Sequence, residues 1–204
     1  MITYIIIAGT ALFSIQAFQK HDLFLKHTFN PYIVNRNREW HRFFTHALLH
    51  ADWTHLLVNM LVLYFFGPTV EKAYQMNFGL VGSLYFVLLY VGSVVVSIYP
   101  TFEKHRNNPG YNSVGASGAV SAVVFASILF HPERNICLWG ILCLPAILWS
   151  VLYLVYSWQM GKRGRDNINH SAHFFGAVFG ILFTILLDTD IAVRFYQTIR
   201  FLYF

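Results

Sequence analysis

A serine hydroxyl becomes a useful nucleophile only when a neutral imidazole can take its proton, and the tetrahedral oxyanion that follows needs hydrogen-bond donors aimed at it. Three short groups in this 204-residue chain could supply those parts. In Gly115-Ala116-Ser117-Gly118 a serine stands between small residues that let another backbone approach closely. His173, followed by Gly176 and Gly180, could be the base. His55 and Asn59, four residues apart and so on one helical face, could join the Ser117 amide as oxyanion donors. No acid completes a triad: Asp188 and Asp190 lie about 15 residues beyond His173, roughly 22 Å along a helix. A two-residue arrangement of Ser and His is the economical reading.

The elements that must position these residues are membrane helices. The chain is 56% hydrophobic, 18% aromatic and 11% charged, against roughly 25% charged in ordinary soluble domains. A helix crossing the hydrocarbon needs about 20 mostly apolar residues. Six stretches meet or approach that length: Ile2 to Phe18, Trp53 to Val70, Phe78 to Tyr99, Ser113 to Phe130, Ile136 to Trp158 and Ile168 to Leu187. Between them, Gly67-Pro68 with Glu71 and Lys72, Pro100 to Gly110, Pro132 to Arg134 and Gly161 to Asn167 carry loop signals. Glu71 is expected to end a helix or pair with Lys72. An all-α, polytopic bundle forming one membrane domain over residues 1–204 follows. The first segment has no basic n-region and no cleavage pattern, so it is read as a retained span.

Two regions fall outside the spans. The connection 19–52 mixes aromatics (Phe24, Phe29, Tyr32, Trp40, Phe43, Phe44) with charges, as an element in the membrane interface would. The tail 188–204 combines Arg194 and Arg200 with Phe195, Tyr196 and Phe201, which suits an interfacial anchor. The net charge of +5 is scattered over short connections rather than gathered on one element, so the lipid bilayer and not nucleic acid is the expected partner. Cys137 and Cys143 fall in the fifth apolar stretch, where helical spacing would put them on different turns, and no disulfide is expected.

Polar side chains inside a bilayer are costly unless paired or hydrated, which makes His55, Asn59, Ser117 and His173 functional candidates. All sit at the N-terminal ends of even-numbered spans, which face one side of the membrane in an alternating bundle. Gly176 and Gly180 form a small-xxx-small face able to bring span six against Gly118, Ala122 and Ala126 of span four.

At these residues the chain resembles the rhomboid intramembrane proteases. The match takes in the Gly115 to Gly118 serine motif, Ala172-His173 with Gly176 and Gly180, and the His55 and Asn59 pair. It extends back through Arg42 to His50, which is similar to the family's first loop, and forward to Gly67 and Glu71. The resemblance implies a six-transmembrane-helix bundle in a bacterial cell membrane, with a cytoplasmic N-terminus. It implies a serine endopeptidase that cuts transmembrane protein substrates and uses no cofactor and no metal. The positive-inside rule would favour the reverse topology, because Lys20 to Arg42, Lys104, Arg106 and Lys162 to Arg165 would then lie inside. Two positions depart from the family pattern. His41 stands where the family has Trp before Arg42, with Trp40 one place earlier. Ser121 stands where some members have a Tyr that stacks on the catalytic His, so Phe125 or Phe174 is expected to support His173 instead.

A metal enzyme is the principal rival. His46, His50 and His55, with His170 and His173, offer ligands of the right type. The chain has no His-His doublet and no His-Glu-x-x-His helix, and this reading leaves the serine motif unexplained. His46 and His50 fit better as hydrogen-bonding groups of the first loop. A transporter should show repeats or paired mid-bilayer charges, and an inactive relative should have lost Ser117 or His173.

Overall fold

The computed structural model describes residues 1–138, 141–163 and 168–204. Its frame is α1 (Ile2–Gln19), α5 (Trp53–Phe78), α6 (Gly82–His105), α7 (Ser117–Phe130), α8 (Ala146–Arg163) and α9 (His170–Leu187). Three short helices, α2 (His21–His27), α3 (Pro31–Asn37) and α4 (Arg42–Thr45), order the first loop, and α10 (Asp190–Tyr203) forms the tail. Ile2–Gln19, the continuous stretch Trp53–His105 and His170–Leu187 are long and apolar enough to cross a membrane.

The bundle is arranged around α7. Nearly every residue from Gly118 to Leu129 is buried, whereas Ile5 on α1, Leu57, Leu61 and Phe65 on α5, Leu84 and Leu88 on α6 and Val151 on α8 are exposed. Apolar side chains on the outside and small ones at the contacts are what a lipid solvent selects, since packing rather than hydrophobicity joins helices there. From α7, Ala119, Ala122 and Ala126 pack with Leu63, Phe86, Leu89 and Val94 in the main core.

Several boundaries differ from the sequence reading. Helix α5 runs through Pro68 and α6 through Pro100. Membrane helices tolerate such prolines because neighbouring groups re-satisfy the freed carbonyls. The turn between them comes at Gly79, whose φ of +61° suits glycine. Glu71 neither ends a helix nor pairs with Lys72. It lies inside α5, 3% exposed, and its carboxylate accepts from the Ile2 amide at 2.9 Å, the Thr3 amide at 3.1 Å and the Thr3 hydroxyl at 2.8 Å. These amides have no intrahelical partner at an N-terminus, so Glu71 ties α1 to α5.

The fifth stretch is not helical from Ile136. Asn135–Leu138 (β1) pairs antiparallel with Leu142–Pro145 (β2), and Cys137 lies opposite Cys143. The two cysteines form a disulfide, contrary to expectation, because a hairpin rather than a helix carries them. A short apolar run reads alike in either state, and periodicity cannot separate them. Helix α8 starts only after Pro145 and continues to Arg163, through the start of the connection expected at Gly161 to Asn167; the rest of that connection, Gly164 to Asn167, lies outside the described residues.

Candidate active site

Ser117 is the first residue of α7, not the fifth of a span beginning at Ser113. Its amide is therefore one of those that a helix start leaves without an intrahelical acceptor, at the positive end of the helix dipole. Residues 113–116 reach it as non-helical chain held by the first loop. Phe29 and Ser113 exchange backbone hydrogen bonds of 3.0 and 2.9 Å, and the Gly115 amide donates to the His46 carbonyl at 3.0 Å. The φ of Gly115, +121°, is open to glycine almost alone. A β-carbon there would also overlap the His55 ring.

Depth follows from helix length. At 1.5 Å per residue α5 and α6 are ~39 and ~36 Å long, but α7, with 14 residues, is ~21 Å long, shorter than the ~30 Å hydrocarbon layer. Ser117 thus starts a helix too short to reach both surfaces.

His173 Nε2 lies 2.7 Å from Ser117 Oγ. The α7–α9 seam makes that distance possible. A β-carbon on Gly176 would overlap the Gly118 carbonyl, one on Gly180 the Ala122 carbonyl, and one on Gly118 the Ser97 hydroxyl. Main chain therefore meets main chain, as the small-residue spacing predicts. The start of α9 is set by Asn169, whose side-chain oxygen caps the Ala172 amide at 3.1 Å and whose NH2 group lies 3.0 Å from Thr101 Oγ1 and 3.4 Å from Ser113 Oγ. One asparagine thereby links the His173 helix, α6 and the approach to Ser117.

His55 sits in the first turn of α5, where Asp52 caps its amide at 2.7 Å. The Ala51 amide donates to His55 Nδ1 at 3.4 Å, which puts the ring proton on Nε2, and the Nε2 edge faces Gly115. Asn59, buried one turn on, donates one amide hydrogen to the His55 carbonyl at 2.8 Å and keeps a second. His46 and His50 serve the first loop. His46 Nδ1 donates to the Arg42 carbonyl at 3.1 Å, and Ser14 Oγ lies 3.0 Å from His50 Nδ1 while donating to the Leu48 carbonyl. Burial pushes the pKa of His46 down to about 4, against the opposing pull of its backbone hydrogen bonds. Burial, with His55 adding to it, takes His50 to about 3. Among the described residues no three His, Cys, Asp or Glu side chains gather as a metal site requires.

Neither Phe125 nor Phe174 lies on the face of His173. Phe174 packs on Trp158, and Phe125 on Tyr153. Tyr153 of α8 is the ring that lies nearly parallel to His173, with planes 18° apart and centroids 6.3 Å apart. Nothing in the sequence distinguishes this tyrosine from its neighbours in the apolar stretch. Beside it, Leu154, Val155, Trp158, Gln159 and Phe174 line an apolar cleft of about 340 Å³ between α8 and α9.

Residues 37–189 match the family model described as the Rhomboid domain. YdcA of Bacillus subtilis, whose name places it among the rhomboid proteases, is 29% identical over 196 residues, taking in 91% of this chain and 87% of YdcA. RHOMBOID-like protein 12, mitochondrial, of Arabidopsis thaliana is 30% identical over 147 residues, 67% of this chain and 43% of that protein. Rhomboid protease AarA of Providencia stuartii is 25% identical over 179 residues, 76% of this chain and 59% of AarA. The chain thus spans most of YdcA and about half of the other two.

Proposed function

Because this chain belongs to the rhomboid family of intramembrane serine proteases, we propose that it cleaves transmembrane segments of other membrane proteins, with Ser117 as nucleophile and His173 as general base. The observation that carries this reading is the 2.7 Å contact between Ser117 Oγ and His173 Nε2, made by residues 56 apart on helices that touch through glycine.

Ser117 Oγ attacks the scissile carbonyl as His173 Nε2 takes its proton. The oxyanion is met by the Ser117 amide, the His55 Nε2–H and the second amide hydrogen of Asn59, donors already in place before charge develops. His173 then returns the proton to the leaving amine. In the second half-reaction it deprotonates a water that attacks the acyl-enzyme, then gives that proton to Ser117 Oγ as the new carboxyl group leaves. Gly115, Gly118, Gly176 and Gly180 support the reaction by permitting close approach. Nucleophile, base and oxyanion donors all come from the chain, so the proposed reaction uses no cofactor.

The protein is an integral membrane protein, and we place the six frame helices α1 and α5 to α9 in one bacterial cell-membrane domain. The Ser117 end of α7 faces the extracytoplasmic side and the N-terminus the cytoplasm. A substrate segment that unwinds easily and presents a small residue at the cut suits a site walled by Gly115 and Gly118. The test is labelling by a fluorophosphonate probe. Wild-type protein should be labelled at Ser117 and Ser117→Ala should not, with cleavage of a model transmembrane substrate lost in parallel. Activity that survives Ser117→Ala but stops with a chelator would replace the serine mechanism by a metal one.

A further inference from the structure

With Ser121 standing where some rhomboids carry a Tyr, the imidazole of His173 takes support from elsewhere. Ser121 lies on α7 one turn beyond Ser117 and is 5% exposed. Its hydroxyl is 2.7 Å from the Tyr153 hydroxyl. From that anchor the Tyr153 ring runs across to His173, nearly parallel to the imidazole at an 18° interplanar angle. Phe125, one further turn along α7, closes on the Tyr153 ring with centroids 5.7 Å apart. One face of α7 therefore carries in succession the nucleophile, the hydroxyl that pins Tyr153 and the ring that backs it.

We infer that Tyr153 is a positioning residue of His173, supplied by α8 and locked to α7 by Ser121. The inference rests on the Ser117 and His173 reading above. An imidazole turns about a single bond at its root, and a hydrogen bond to a serine hydroxyl does not by itself fix that turn. A flat aromatic ring lying alongside it, tethered at its far end by a hydrogen bond, restricts the imidazole to orientations that keep Nε2 toward Ser117. The hydroxyls of Ser121 and Tyr153 satisfy each other at a depth where water is scarce, which is why a serine is tolerated at this buried position. The missing family tyrosine is in this way replaced by a pair: a tyrosine from another helix and the small hydroxyl residue that makes room for it.

A residue that merely glued α8 to the bundle would be expected to affect protein yield or substrate affinity. A positioning residue affects the chemical step. Tyr153→Leu should lower kcat about 10- to 10²-fold with KM little changed, because a displacement near 1 Å of a reacting group can cost that much. The rate of fluorophosphonate labelling at Ser117 should fall by a similar factor. Tyr153→Phe keeps the ring and should lose less activity than Tyr153→Leu, and Ser121→Ala should match it. Each loses one hydrogen bond, about 2- to 10-fold, and the double variant should be no worse than either single one, since both break the same contact. These two conservative variants preserve the packing and decide the matter if Tyr153→Leu does not fold. Wild-type kcat and labelling rate in folded Tyr153→Leu, or additive effects in the double variant, would overturn the assignment. If wild-type protein is labelled at Ser117 in a His173-dependent manner while the Tyr153 variants match it, only this inference fails. Absence of Ser117 labelling in wild type would remove the dyad as well.

Discussion

The two neighbours of His173 hold it by opposite means. Along α7 and α9 the main chains touch, and no β-carbon fits between Gly118 and Gly176 or between Ala122 and Gly180. Along α8 and α9 the main chains come near each other at Gly161 and Ser171, but towards His173 the contact is made by long side chains, with Trp158 on Phe174, Tyr156 on His170 and Tyr153 beside His173, and an apolar cleft opens between the helices. Main-chain contact has no rotamers to exchange, so it sets a distance that does not drift. Side-chain contact can be rearranged by rotamer changes. The chain uses the first where Ser117 meets His173, and the second where α8 joins α9.

The comparison is tested most severely at the reacting atoms. Ser117→Ala and His173→Ala should each reduce cleavage to background, a loss on the order of 10⁶-fold when nucleophile and base act as one unit, measured on protein that still purifies from the membrane. Below that, Asn59→Ala should lower kcat by at most about 10²- to 10³-fold, because the Ser117 amide and His55 still face the oxyanion. Ser117 should remain labelled by the probe in that variant, only more slowly. Complete inactivity in folded Asn59→Ala would give this residue more than an oxyanion role.

The seam itself is probed by Gly176→Ala and Gly180→Ala. Each forces a methyl into a carbonyl of α7 and should destabilise the protein by about 1–3 kcal/mol, read as a fall in Tm in detergent, with activity reduced as Ser117 and His173 part. Gly9→Ala on α1 is the control. Nothing lies within 4 Å of its β-carbon, so it should be neutral or raise stability by roughly 0.5–1 kcal/mol.

Acid should loosen the first loop. His46 and His50 are held neutral by burial, at pKa values of about 4 and about 3, while in an unfolded chain they take up protons near pH 6.5. The unfolded state binds more protons between those values, so stability rises with pH through the window. It is complete above about pH 6.5 and lost as pH falls toward 4, by up to roughly 3 kcal/mol for His46. Thermal unfolding from pH 7.5 to 4.5 should show this slope, and His46→Asn, which cannot titrate, should flatten it. The smallest effect is expected at the hairpin. Cys137→Ser opens the disulfide beyond the end of α7 farthest from Ser117 and should leave kcat within about twofold, as surface changes away from a site generally do.

The nearness of Ser117 to His173 was legible because small residues at i and i+4 are rare unless helices must touch there, and both helices carry them. The all-α bundle was legible because apolar runs near 20 residues have few other fates. Length alone did not show where helices end. Pro68 and Pro100 read as breaks in water and are tolerated in lipid, and Ser113 belongs to a strand-like approach because Phe29, 84 residues earlier in the chain, pairs with it. The hairpin was hidden by a run too short for periodicity to decide. Tyr153 was hidden because a lone aromatic in an apolar span looks like packing until its neighbours are seen.

The shortness of α7 has a consequence in terms of hydrophobic mismatch. Bilayers differ by several Å in hydrocarbon thickness and adapt to a protein's apolar belt. That belt is set here by α5 and α6, whereas the height of Ser117 is fixed by α7, hung from the first loop through Phe29 and His46. A substrate helix, free of those ties, settles at the depth its own apolar length dictates. In the proposed reaction the bond presented to Ser117 therefore depends on two independent fits to the same membrane, and a change of lipid thickness should move the substrate past a serine that stays in place.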